Sequence, residues 1–187
     1  MPFIRAFDAL VDFARLVSRW AARTTGLALL AVVFFVTIEV ILRKLSGHSL
    51  QGVEEYSGYM LAILSSWGLS HTLVEKAHIR IDVAYGKLPP LAQAGLDVIA
   101  ILALNLVSWL IALNAYPVLL KSLANGSLAN TPLATPLWIP QLIWAAGYVW
   151  FAFTTTVLGL RMLLAASTGD SVTLQHLGGA GDSEAPL

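Results

Sequence analysis

Acidic residues within or beside apolar segments are the groups of this chain best suited to chemistry. Glu39 falls inside an apolar stretch, and Glu54 and Glu55 stand directly before another. A carboxylate in a membrane segment marks either an ion pathway or a paired structural charge. Glu39 precedes Arg43 by four residues, a spacing that puts an acid and a base on one helix face. We therefore expect a helix ion pair of Glu39 with Arg43, with ion coupling as the less favoured alternative.

A second polar cluster lies between the second and third apolar runs. His78, Arg80 and Asp82 alternate with apolar residues, which predicts an extended segment with one face against the bundle. A metal site from His78 and Asp82 with His71 would be thin and one-sided, so it is disfavoured. The chain has no cysteine and no phosphate-binding loop, dinucleotide fingerprint or nucleophile elbow. We expect no catalytic residue, no metal and no cofactor.

Four long apolar runs must position these groups. They cover residues 24–42, 56–74, 92–120 and 138–161, and each is long enough for a helix to cross hydrocarbon ~30 Å thick. Hydrophobic residues make up 57% of the chain and charged residues 12%, about half the usual charged share of a soluble domain. The sequence predicts an all-α integral membrane protein with four spans in a single domain, residues 1–165.

The flanks of these runs predict further features. Residues 3–19 have apolar positions at helical spacing, which predicts an amphipathic helix on the membrane surface; a plain extension of the first span is the alternative. Residues 166–187 are rich in Gly, Ser, Asp and Ala, which predicts a disordered cytoplasmic tail. The zero net charge leaves no basic field for nucleic acid. Lipid is an expected partner.

The basic residues predict the orientation. Segments on the amino-terminal side of the membrane hold Arg5, Arg15, Arg19, Arg23, Lys76, Arg80, Lys87 and Arg161, and the other side holds Arg43, Lys44 and Lys121. Because basic residues collect on the cytoplasmic side, both termini are expected in the cytoplasm of a multi-pass protein of the bacterial inner membrane.

Two features of the spans predict helix packing: a stripe of small residues and an asparagine. Gly58, Ala62, Ser66 and Ser70 recur at every fourth position of the second run, a small-residue stripe that lets another helix approach closely. That helix belongs either to this chain or to another subunit. Asn105 lies inside the third run, where an asparagine usually forms interhelical hydrogen bonds; a role in a solute pathway is the less favoured alternative.

The order of motifs between residues 39 and 90 has a known parallel. It runs as Leu42-Arg43, a short glycine-containing loop, Glu54-Glu55-Tyr56, a small-residue span, His78-Ile79-Arg80-Ile81-Asp82-Val83 and Leu88-Pro89-Pro90. This order resembles the small permease subunit (DctQ-like) of tripartite ATP-independent periplasmic (TRAP) transporters. The resemblance covers the first half of the chain closely and the second half by architecture, with a loose match in Thr135-Pro136 through Pro140.

The resemblance implies a division of labour. A periplasmic substrate-binding protein captures a small organic acid, and a large multi-span permease subunit moves it by symport with sodium. The small subunit is a non-moving scaffold. Arg43, Glu54 and Glu55 would then organise the periplasmic rim, and the small-residue stripe would pack helices within or between subunits. The rival interpretations are a membrane-anchor or cytochrome-type subunit of a membrane enzyme, and a self-sufficient small exporter.

Overall fold

The architecture is that of a computed structural model, which describes residues 2–47, 52–76 and 88–178. Within these ranges the regular structure is α-helical, apart from one isolated β-bridge between Leu128 and Pro136, so the predicted all-α class is confirmed. The helices are α1 (Pro2–Ser46), α2 (Val53–Val74), α3 (Pro90–Ala124), α4 (Trp138–Thr168) and α5 (Ser171–Gly178).

Three of the helices are suited to cross a membrane by length and composition. Their apolar segments are Arg5–Ser46, Ala92–Ala124 and Trp138–Thr168 among the described residues, and they contain three of the predicted spans. Helix α2, with 22 residues, covers the remaining predicted span, residues 56–74. Its serines, glycines, tyrosines and histidine make it less apolar than the other three, so a crossing by α2 stays a prediction.

Helix α1 is longer than expected and corrects the prediction of a separate amphipathic helix over residues 3–19. It runs for 45 residues without interruption, because residues 20–23 include neither glycine nor proline to break the helix. Val11, Ala14 and Ser18 are buried in the protein. The less exposed face of the amino-terminal segment therefore packs against the rest of the chain, and the segment is the first part of α1.

The long helices form a row in the spatial order α1, α2, α4, α3. Helix α4 packs against both α2 and α3, and α1 packs along α2 and, near its amino-terminal end, against α4. Helix α3 has no substantial contact with α1 or α2 in the described part of the chain. The close approach of α2 to α4 depends on Gly147, where a Cβ would overlap the Ser66 hydroxyl. Trp67 Nε1 donates to Ile143 O at 3.0 Å across the same contact.

The carboxyl-terminal segment corrects the prediction of disorder from residue 166. Helix α4 continues to Thr168, and α5 follows and packs against α3 and α4. Asp170 caps α5, because its Oδ1 accepts a hydrogen bond from Thr173 N at 3.0 Å. Leu174 is buried in the same apolar cluster as Val11. Packing of Leu174 and Leu177 and capping by Asp170 thus accompany helical structure in a segment whose composition suggests a tail. Residues 179–187 lie outside the described ranges.

Candidate subunit interface

Glu54 and Glu55 lie on different sides of α2. Successive residues of an α-helix point about 100° apart, so two neighbours cannot share one environment. Glu54 is exposed and lines a groove of about 370 Å³ between α1 and α2, together with Gly58 and Leu61. Glu55 is half-buried and contacts the loop between α3 and α4. The two acids that the sequence pairs on one rim therefore have separate roles.

The Glu55 carboxylate accepts hydrogen bonds from other residues of the chain. Tyr59 OH donates to Oε1 at 2.8 Å, and the Thr131 hydroxyl donates to Oε2. The bond from Thr131 is the main cause that holds the pKa of Glu55 below its ordinary value; hydrogen bonds from Thr135 and Tyr59 add to it, and burial opposes it. The sequence contained no signal for this contact, because a threonine in a polar loop does not reveal its partner.

The same loop contacts the start of α2 at a second point. Gly52 has a φ of 90°, and a Cβ at this position would overlap Leu133, so only glycine fits here. The loop itself is held by hydrogen bonds from Ala129 N to Thr135 O at 2.9 Å and from Leu137 N to Ser127 O at 3.0 Å. Residues 52–55 and 127–137 form one structure, which we call the rim.

Glu39 and Arg43 are placed as an ion pair near the end of α1. Arg43 Nε lies 3.7 Å from Glu39 Oε1, with the Glu39 side chain buried and the Arg43 side chain half-exposed. The spacing of four residues places the two side chains on one face of the helix. Arg43 remains accessible on one side for a contact outside the chain.

The small-residue stripe divides between two environments and corrects part of the predicted partner surface. Ser66 and Ser70 are fully buried, Ala62 is half-buried, and Gly58 is exposed with open space around it. A spacing of four residues advances about 400° around a helix, so the stripe turns by roughly 120° between Gly58 and Ser70. Ser66 packs against Gly147 of the same chain. Ser66 and Ser70 are therefore not available to a second subunit.

Polar side chains join α3 to α4 in what we call the polar seam: Asn105, Ser108, Trp109, Thr155 and Thr156. Asn105 Nδ2 donates to Thr155 Oγ1 at 3.0 Å and to Thr156 Oγ1 at 2.7 Å. The Ser108 and Thr155 hydroxyls share a hydrogen bond of 2.8 Å, and Trp109 Nε1 donates to Thr156 Oγ1 at 3.0 Å. The prediction that Asn105 bonds another helix is confirmed.

Two ion pairs join the helices at the opposite end from the rim. Arg161 Nε donates to Asp8 Oδ1 at 2.7 Å, and Arg19 Nε donates to Glu75 Oε1 at 2.7 Å. The Arg19 hydrogen bond is the main cause that lowers the pKa of Glu75. Sequence reasoning missed both pairs, since their partners are far apart in the chain. They attach the amino-terminal segment of α1 to α4 and to the end of α2.

The predicted cluster of His78, Arg80 and Asp82 lies in residues 77–87, outside the described ranges. Where the structure does describe the chain, no three His, Asp or Glu side chains are grouped closely enough to hold a metal ion.

Long apolar helices whose polar side chains bond one another define the class as an integral membrane protein. The family model described as "Tripartite ATP-independent periplasmic transporters, DctQ component" matches residues 30–165. This match covers well over half of the chain, so the chain belongs to that family, which consists of transporter components and not of enzymes. The chain is thus the small membrane subunit of a TRAP transporter. No curated protein and no solved structure matched it.

Proposed function

We propose that this subunit is a non-moving scaffold for the large permease subunit. The complex would take up a small organic acid with the help of a periplasmic binding protein, driven by a sodium gradient. The chain would lie in the bacterial inner membrane with four crossings, with both termini in the cytoplasm and the rim in the periplasm.

The polar seam is the observation that carries this proposal. A solute or ion pathway needs polar groups that are directed at a cavity and free to exchange partners. Asn105, Thr155 and Thr156 instead bond one another across the contact of α3 with α4. Such bonds fix two helices relative to each other. This argues for a static role and against a self-sufficient exporter.

The row of helices supports the same role. A closed four-helix bundle buries one side of every helix, whereas the helices at the ends of a row keep most of their surface free. Phe34 of α1 is 69% exposed and Leu106 of α3 is 63% exposed, while α4 has the largest buried share of the three long apolar helices. A row of this kind would widen a larger membrane protein without adding a core of its own.

The rim supports a periplasmic contact. Glu54 is charged and exposed there, and Arg43 at the end of α1 is half-exposed, while Glu55 is engaged in holding the rim together. We propose that Glu54 and Arg43 contact the binding protein and that Glu55 maintains the shape of the surface. His78, Arg80 and Asp82 would order the cytoplasmic loop, as the family resemblance implies.

Reconstitution tests the scaffold role. Liposomes would hold this chain alone, the large subunit alone, or both, with the binding protein outside. Uptake of radiolabelled small carboxylates would be measured under an inward sodium gradient. We expect uptake only when all three proteins are present. Uptake by this chain alone, or equal uptake by the large subunit without it, would contradict the proposal.

A further inference from the structure

Helix α3 ends the row and leaves one side without a neighbour among the residues that the structure describes. Its buried residues include Ile101, Ser108 and Ala112, which lie on the side that meets α4. On the opposite side, large side chains such as Ile99 and Leu110 are exposed. Most of this outward face is aliphatic, as a lipid-facing surface would be.

Asn114 is the exception on that face. Its side chain is exposed, and Nδ2 donates to Leu110 O at 2.7 Å within the same helix. The carbonyl oxygen Oδ1 has no hydrogen-bond partner among the described residues. One polar acceptor is thus directed away from the protein on an otherwise apolar surface.

The register of α3 on α4 gives the depth of this group. Asn105 bonds Thr155, and the two helices are antiparallel, so nine residues further along α3 is level with nine residues back along α4. Asn114 is therefore level with Ala146. At ~1.5 Å per residue, Asn114 lies about 12 Å from the middle of its own predicted span 92–120, and Ala146 lies about 5 Å from the middle of span 138–161. Both values place the group inside a hydrocarbon core ~30 Å thick. Water is absent at this depth, and acyl chains cannot donate a hydrogen bond.

Helix α1, at the other end of the row, provides the comparison. It exposes large side chains such as Leu27 and Phe34, and the exposed polar residue between Phe34 and Ile41 is Thr37. The Thr37 hydroxyl donates to Val33 O at 2.8 Å, so its proton is bonded within the helix. The exposed face of α1 suits lipid, whereas the exposed face of α3 carries an acceptor that lipid cannot bond.

We infer that the outward face of α3, centred on Asn114, packs against a helix of the large permease subunit. Asn114 Oδ1 accepts a hydrogen bond from a side-chain donor of that helix, because asparagines in membrane helices typically bond across to a neighbouring helix. The inference rests on the proposed function, which supplies the partner. Beyond that function, the inference specifies which face of this chain the large subunit covers.

Site-specific cross-linking tests the inference in membranes that contain both subunits. The photoreactive residue p-benzoylphenylalanine is introduced at Leu110 on α3 and, as the matched control, at Phe34 on α1. We expect a cross-linked product of this chain with the large subunit from position 110 and none from position 34. A product from position 34 alone, a product with a second copy of this chain, or no product from a pair that still co-purifies would overturn the inference. Loss of co-purification by the unmodified chain would instead contradict the proposed function.

An Asn114→Leu variant gives a second measurement. Loss of one interhelical hydrogen bond should lower recovery of the large subunit in a pull-down about threefold, while thermal unfolding of the isolated chain stays unchanged. Asn114→Gln, which keeps the carboxamide, should restore part of the recovery. Unchanged recovery with Asn114→Leu would overturn the inference.

Discussion

The Glu55 carboxylate accepts a hydrogen bond from the hydroxyl of Thr131, a residue 76 positions later in the chain. This contact joins the start of α2 to the loop that precedes α4, and Tyr59 donates to the same carboxylate. The neighbouring acid, Glu54, is exposed on another side of the helix. One residue of the pair is therefore internal to the rim and the other is directed outward.

Neutralising the two acids separately should distinguish these roles. Glu55→Gln should lower the melting temperature of the detergent-solubilised chain, because the charge that accepts the Thr131 hydrogen bond is removed. Glu54→Gln should leave it unchanged. Thr131→Val should reproduce the loss, and the double variant with Glu55→Gln should lose less than the sum of the two single changes. Equal effects at positions 54 and 55 would contradict the assignment.

The lowered pKa of Glu55 predicts a pH dependence. A carboxyl group whose pKa is lower in the folded state stabilises the fold above its unfolded pKa, and this contribution is lost as the pH falls through the folded value. The difference in melting temperature between the wild type and Glu55→Gln should be constant at neutral pH and shrink below pH ~4.5, the ordinary carboxyl value. Glu75 is present in both proteins, so its own titration cancels. A difference that grows on acidification would contradict the prediction.

Gly147 and Gly68 form a matched pair for the contact of α2 with α4. A Cβ at Gly147 would overlap Ser66, whereas a Cβ at Gly68 meets no atom within 4 Å. Gly147→Ala should destabilise the chain by about 1–3 kcal/mol, because a close-packed contact must open. Gly68→Ala should be neutral or stabilise the helix by up to about 1 kcal/mol. Denaturant unfolding in mixed micelles measures both, and the same sign for the two variants would argue against the contact.

The two asparagines of α3 should behave differently in the isolated chain. Asn105→Leu removes two interhelical hydrogen bonds and should cost about 1–2 kcal/mol of unfolding free energy. Asn114→Leu removes only a bond within its own helix and should cost nothing measurable. Unfolding of each variant without the large subunit provides the comparison. A larger loss at position 114 would contradict the register of α3 on α4.

The attachment of the amino-terminal segment can be tested with two aspartates. Asp8 pairs with the buried Arg161 at 2.7 Å, whereas Asp12 lies 3.7 Å from Arg15 on the surface. Asp8→Asn should destabilise the chain by about 1–3 kcal/mol, because a buried guanidinium loses its counter-charge. Asp12→Asn should have almost no effect. Limited proteolysis should then cut residues 5–19 faster in Asp8→Asn, and equal rates in the two variants would mean that this ion pair does not hold the segment.

The sequence alone was sufficient to predict those features that depend on a single segment of the chain. Apolar runs of sufficient length identified three helices suited to cross a membrane, since transfer of a side chain into hydrocarbon depends mainly on its own chemistry. The pair of Glu39 with Arg43 follows from spacing within one helix. Asn105 was expected to bond another helix because a carboxamide in hydrocarbon needs a partner. The motif order between residues 39 and 90 gave the family.

Only the tertiary structure showed which residues that are distant in the sequence contact one another. The sequence of residues 3–19 does not predict that Asp8 pairs with Arg161. The sequence of the carboxyl-terminal segment does not predict that Leu174 packs in the apolar cluster. The fixed spacing from Gly58 to Ser70 suggests one face, yet the helical twist turns its end inward against the same chain. Which two residues come into contact depends on the shapes of the two helix surfaces and on their register. Neither can be read from one segment of the sequence, because both depend on the complete fold. For that reason the sequence determined that this is a helical membrane subunit, and the packing decided which of its faces remain free for a partner.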